Sequence, residues 1–137
     1  VSARFEVLDH PADLALRIYG RDLRELFANA AYAMFCQFLP EGLQRLPVSV
    51  ERQVEVQGID DESLLVNWLN ELLYLHETHG ELYAQFDIES LASGRLRASV
   101  RGAPSDRAEI IIKAATFNEL AIARTQNGLV VTVVLDV

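Results

Sequence analysis

The run Leu129-Val130-Val131-Thr132-Val133-Val134-Leu135 constrains this chain more than any other segment. Seven consecutive apolar or β-branched residues form a strand with no polar face to give to water. Such a strand needs neighbours on both sides and cover on both faces, so the spacing predicts a central strand in a sheet. Asn127-Gly128 ahead of it reads as a hairpin turn of type I′, because that turn requires positive φ twice. Ser93-Gly94 is a second turn signal.

Upstream, two stretches carry the helical period instead. Leu23, Leu26, Phe27, Ala30, Ala31, Met34, Phe35 and Phe38 recur at threes and fours. Asp22 is placed as N-cap, with Glu25 completing a capping-box pair, and Pro40 and Gly42 stop the segment. The second helix follows Asp60-Asp61-Glu62, acids that oppose the positive end of its dipole. It runs from Leu64 to His76, with Leu65, Trp68, Leu69 and Leu72 inward, and Gly80 ends it.

Between and after these lie runs of period two: Arg4–Leu8, Leu14–Tyr19, Val48–Val56, Tyr83–Ile88, Leu96–Val100, Ile110–Ala115 and Ala121–Ala123. Strands in series with only two helices indicate α+β, two helices packed on a mostly antiparallel or mixed sheet. The 137 residues contain no repeat or linker-like run, so one domain over 1–137 is expected.

Charge narrows the function classes. Twelve basic against twenty acidic residues leave a net charge of −8. That balance argues against general capture of RNA or DNA phosphates, where Lys and Arg supply most of the affinity. Arg95, Arg97, Arg101 and Arg107 cluster without interleaved aromatics and read as a solvated sheet face. No apolar run is long enough for a membrane span, and no signal-peptide pattern opens the chain. A single cysteine, Cys36, has no internal disulfide partner, which suits a reducing cytoplasm. It lies in the apolar stripe of the first helix and reads as packing.

The familiar catalytic signatures (GxGxxG, P-loop, GxSxG, HExxH, CxxC) do not occur. His76 and His79 bracket a helix end, where the dipole favours histidine without any metal. Two acids stand apart. Asp13 sits where a loop enters a strand, just after His10-Pro11-Ala12, and Asp136 closes the long apolar run beside Val137. On spacing alone, Asp13 reads as a turn residue and Asp136 as a solvated strand end. If the fold joins them, a hard oxygen-seeking cation of the Ca²⁺ or Mg²⁺ class relieves the repulsion. Lys113, the only lysine, stands between Ile112 and Ala114, where it either faces solvent or meets an acid.

In these blocks the chain resembles the archease family. The resemblance rests on His10-Pro11-Ala12-Asp13; Tyr19-Gly20 through Leu26-Phe27; Asn29-Ala30-Ala31 and Ala33-Met34-Phe35; Leu64-Leu65 through Trp68-Leu69-Asn70-Glu71-Leu72-Leu73-Tyr74-Leu75; Ile112-Lys113-Ala114-Ala115-Thr116; and Leu135-Asp136-Val137. No block is decisive, but their shared order makes the match specific. The sequence has Pro11 where the family usually has Thr, and Phe117-Asn118 where Tyr-His is usual.

The resemblance implies a protein cofactor, not an enzyme. It implies action on a GTP-dependent RNA ligase of the RtcB type, promoting the ligase's guanylylation and multiple turnover in tRNA splicing and RNA repair. It assigns Asp13, Asp136 and an oxygen of Val137 to a divalent cation, and Lys113 with His10 to activation of the partner. RNA is then met only through the ligase. Two other classes stay open: a chaperone-like protein-binding module in which the acids are structural, and a stand-alone metal-dependent hydrolase. The latter needs a general base, and His10 alone is near enough in sequence to suggest one.

Overall fold

The computed structural model describes residues 3–9 and 13–137. Its first helix, α1 (Leu23–Cys36), starts where Asp22 accepts a hydrogen bond from the Glu25 amide at 2.9 Å. The reciprocal half of the capping box lands one residue early. The Glu25 carboxylate accepts from the Arg21 amide and also holds the Arg21 guanidinium, both at 2.9 Å. The second helix, α2 (Asp61–His79), has the complete box, built by Asp60 and Ser63. It ends at Gly80, whose φ of 67° is the left-handed conformation that a side chain disfavours.

The strands divide between two sheets, and every pairing among the described residues is antiparallel. One sheet takes β1 (Phe5–Leu8), β2 (Leu14–Gly20) and β8 (Gly128–Asp136) in that order. The far edge of β8 is shared by two short strands, β6 (Ala114–Thr116) and β7 (Ala123–Thr125). The other sheet has β5 (Arg95–Pro104) between β3 (Val50–Gln57) and β4 (Glu81–Ala92). The α+β class therefore holds, with two sheets in place of one.

Both helices contact both sheets: α1 packs on β2 and β4, and α2 on β3, β4, β5 and β6. Fully buried Trp68, Phe27, Phe35, Phe38, Leu16 and Ile18 fill the space between them. The Trp68 indole N–H donates to the Phe27 carbonyl at 3.0 Å, tying one helix to the other. Burying a tryptophan with its polar edge satisfied is favourable twice, through area and through the bond.

Three expectations are corrected. The type I′ turn is Ser93-Gly94, with φ of 54° and 72°, between Ala92 and Arg95. At the β7–β8 hairpin only Gly128 has positive φ, and the two loop residues are Gln126 and Asn127. Strand β8 is central as expected, but its outer face is covered only in part: Val134 is buried, whereas Val130 and Thr132 are half-exposed. Residues 110–113, read as strand, are not. Ile112 turns into the core while Ile111 is 77% exposed, and the segment is irregular chain before β6 begins at Ala114.

The arginine cluster is the solvated face it was expected to be. Arg97 pairs with Glu55 at 3.0 Å and Arg101 with Glu51 at 2.7 Å, directly across the β3–β5 ladder. Arg107 meets Glu41 at 3.6 Å.

Candidate functional site

Antiparallel register builds the site from both ends of the sequence. Leu14 is paired with Leu135 at one end of the β2–β8 ladder, so Asp13, which precedes Leu14, and Asp136, which follows Leu135, belong to the same end of these two strands. On the other flank of β8, Asp136 pairs with Ala114. The Lys113 amide donates to the Asp136 carbonyl at 2.7 Å, which anchors the Lys113 backbone beside Asp136 although it precedes the strand. Asp136, Val137 and Lys113 are exposed, and Asp13 is half-buried. The backbones of Asp13, Asp136, Val137 and Lys113 thus lie at one end of the sheet, called the tip below. His10 lies outside the described residues.

One positioning residue was not singled out from sequence. Asn70, on α2, accepts from the Ala115 amide at 2.8 Å and donates to the Ala115 carbonyl at 3.2 Å. This clamp fixes the β6 backbone two residues from Lys113. The available signal was an amide side chain directly following the buried Trp68-Leu69 pair.

Oxygen donors predominate at the tip, which fits a hard cation and not a thiophilic one. Two carboxylates and a main-chain oxygen leave most of the coordination sphere to water or to a partner. Among the described residues no group of three or more His, Cys, Asp or Glu side chains is arranged to hold a metal by itself. His76 is committed elsewhere. Its Nδ1 is 2.8 Å from the Glu81 carbonyl, and its ring lies 4.4 Å from that of Phe38.

A cleft of about 800 Å³ opens at the opposite end of β2 and β8, between Tyr19, Gly20, Leu129 and the start of α1.

Two helices that pack on two antiparallel sheets define an α+β protein. The Archease protein family model matches residues 5–137. The chain belongs to the archease family. It is 38% identical to an Archaeoglobus fulgidus protein archease over 98% of this chain and 99% of the relative. It is 34% identical to one from Methanosarcina acetivorans, covering 98% and 96%. A solution structure of a Methanobacterium thermoautotrophicum protein superposes with a TM-score of 0.80 at 31% identity, covering 98% and 99%. A Thermotoga maritima crystal structure, described as an archease and possible chaperone, has the same fold, with a TM-score of 0.67 at 20% identity and coverage of 95% and 94%.

Proposed function

We propose that this protein is an activator of a GTP-dependent, RtcB-type RNA ligase and not itself an enzyme. It works in the cytoplasm and promotes guanylylation and repeated turnover of the ligase during tRNA splicing and RNA repair. The observation that supports the reading is that the β2–β8 ladder ends at Leu14 and Leu135, next to Asp13 and Asp136, with the Lys113 amide donating to the Asp136 carbonyl.

A divalent cation of the Ca²⁺ or Mg²⁺ class, held by Asp13, Asp136 and an oxygen of Val137, supplies positive charge for phosphate oxygens. Asp13 and Asp136 direct that charge outward from the tip. Lys113 adds a second positive group on the same edge, suited to GTP phosphates. The surrounding surface supports docking to a protein. Ile111 is 77% exposed and Phe117 59%, on the segment that flanks β8, and Val137 is 45% exposed. Net charge favours approach to the basic RNA channel of a ligase and disfavours RNA binding by this chain alone.

The test is the covalent GMP adduct of the cognate ligase, scored with GTP and Mn²⁺. Wild-type protein raises its rate; Asp13→Ala and Asp136→Ala, folded by circular dichroism, do not. Equal stimulation by both variants removes the tip from the mechanism.

The exposed apolar side chains also favour a second reading, a chaperone-like module without a metal-dependent role. It predicts stimulation that survives chelation and the loss of either acid.

A further inference from the structure

We propose that the cleft remote from the acid tip is a second binding site, for a ligand headed by a guanidinium or primary ammonium group. Asp13 and Tyr19 are six positions apart on extended chain, so this cleft lies about 20 Å from the tip. A volume of about 800 Å³ is within the range of small-ligand sites.

The chemistry follows from which lining groups are already engaged. Arg21 is held by Glu25, with contacts of 3.1 and 2.9 Å. Arg24 donates to the Ile88 carbonyl at 2.6 Å and the Glu89 carbonyl at 3.3 Å. Arg4 lies over the Tyr32 ring at 4.2 Å. Arg24 and Arg4 are thus directed to other parts of the protein, and Arg21 is paired with Glu25, which lines the cleft beside it.

Two acceptors are not so engaged. Asn29, only 6% exposed on α1, donates through Nδ2 to the Tyr19 carbonyl at 2.7 Å, which fixes the amide plane. Its Oδ1 accepts no hydrogen bond from the described residues, and Asn29 is among the residues that line the cleft. A buried acceptor left without a donor is costly, so this oxygen calls for one. Asp87, on the rim, takes part in no ion pair or hydrogen bond among the described residues, although it feels the charge of Arg101. Unfilled acceptors select a head group that carries donors and no acceptor, which is what guanidinium and ammonium are. Ala28, Ile88 and Leu129 line the same cleft and suit a methylene stem behind that head.

The experiment is an NMR titration of the ¹⁵N-labelled full chain with ethylguanidinium, butylammonium and inorganic phosphate at matched ionic strength. Both cations are expected to shift the Asn29 side-chain amide and the Asp87 and Ile88 backbone amides saturably. Asp87→Asn should weaken that binding about tenfold, the loss expected when one charge-assisted contact is removed. Asp136→Asn should leave it unchanged. The proposal is overturned if the cations produce no saturable shift, if phosphate saturates the same signals instead, if Asp87→Asn binds like wild type, or if Asp136→Asn weakens binding equally.

Discussion

Asn70 grips the backbone of Ala115 from both sides, accepting from its amide at 2.8 Å and donating to its carbonyl at 3.2 Å. Asn70→Ala leaves both main-chain groups without that partner, in a part-buried setting. The expected cost is about 1–3 kcal/mol, read as a lower urea midpoint with unchanged slope. The Ala115 amide should also lose hydrogen-exchange protection more than amides in β5 do. Equal loss everywhere would assign Asn70 to general packing instead.

Cation binding at the tip should appear as stability. A ligand that binds only the folded chain at a hundred times its dissociation constant stabilises by about 2.7 kcal/mol. Calcium is therefore expected to raise the thermal midpoint of the wild type and to leave those of Asp13→Asn and Asp136→Asn unmoved. Lys113→Ala should keep the calcium response while losing ligase stimulation, which separates the two roles.

A buried acid sets the behaviour at low pH. The Arg52 guanidinium holds Glu81 through two bonds of 3.0 and 2.8 Å, and the Tyr83 hydroxyl donates to the same carboxylate at 2.7 Å. The Arg52 hydrogen bond, outweighing burial, lowers the Glu81 pKa below its ordinary 4.5. A lowered folded-state value stabilises above the unfolded pKa, and that stability is lost as pH falls through the folded one. Arg52→Met should thus destabilise at pH 7, by about 1–3 kcal/mol. Its deficit relative to wild type should shrink below pH 4.5. A deficit constant from pH 7 to pH 3 would mean that the loss is packing alone. Burial pushes the Tyr83 hydroxyl upward, so it remains a donor throughout.

At Gly102 the limit is steric. A Cβ there would overlap the Leu82 carbonyl oxygen and come within 2.7 Å of the Tyr83 Cα, across the β4–β5 ladder. Backbone cannot step aside as a side chain can. Gly102→Ala is expected to cost about 1–3 kcal/mol or more, as overpacking does, measured as a drop in thermal midpoint. Gly80→Ala meets no atom and pays only for its φ of 67°.

The helices were legible because their signals are local. Asp22, Asp60 and Gly80 sit at the boundaries they mark, and the stripe through Leu65, Trp68, Leu69 and Leu72 is buried. What misled was the run of isoleucines. Ile110 to Ala115 has strand composition, yet only Ala114 onward pairs, while Ile112 is buried in the core outside any strand. Extended coil on a helix and a strand in a sheet share one residue preference, so composition cannot separate them. Division into two sheets was equally invisible, since it depends on which distant strands meet. The placing of Asp13 and Asp136 at one end of the sheet belongs to the same kind: their spacing favoured unconnected ends, and only the β2–β8 pairing of Leu14 with Leu135 puts their backbones at the same end.

The strand partners that create this tip lie far apart along the polypeptide, β2 near its start and β8 near its close. Joining them means closing a loop from Gly20 to Gly128, a slow step in the topology of any fold. On a ribosome, α1, α2 and the three-stranded sheet can emerge and begin to organise while Asp13 still has no counterpart. Only when β8 slots in beside β2 does the five-stranded sheet close around its central strand. A partly made or truncated copy would hold both helices and the three-stranded sheet while β2 lacked its main partner.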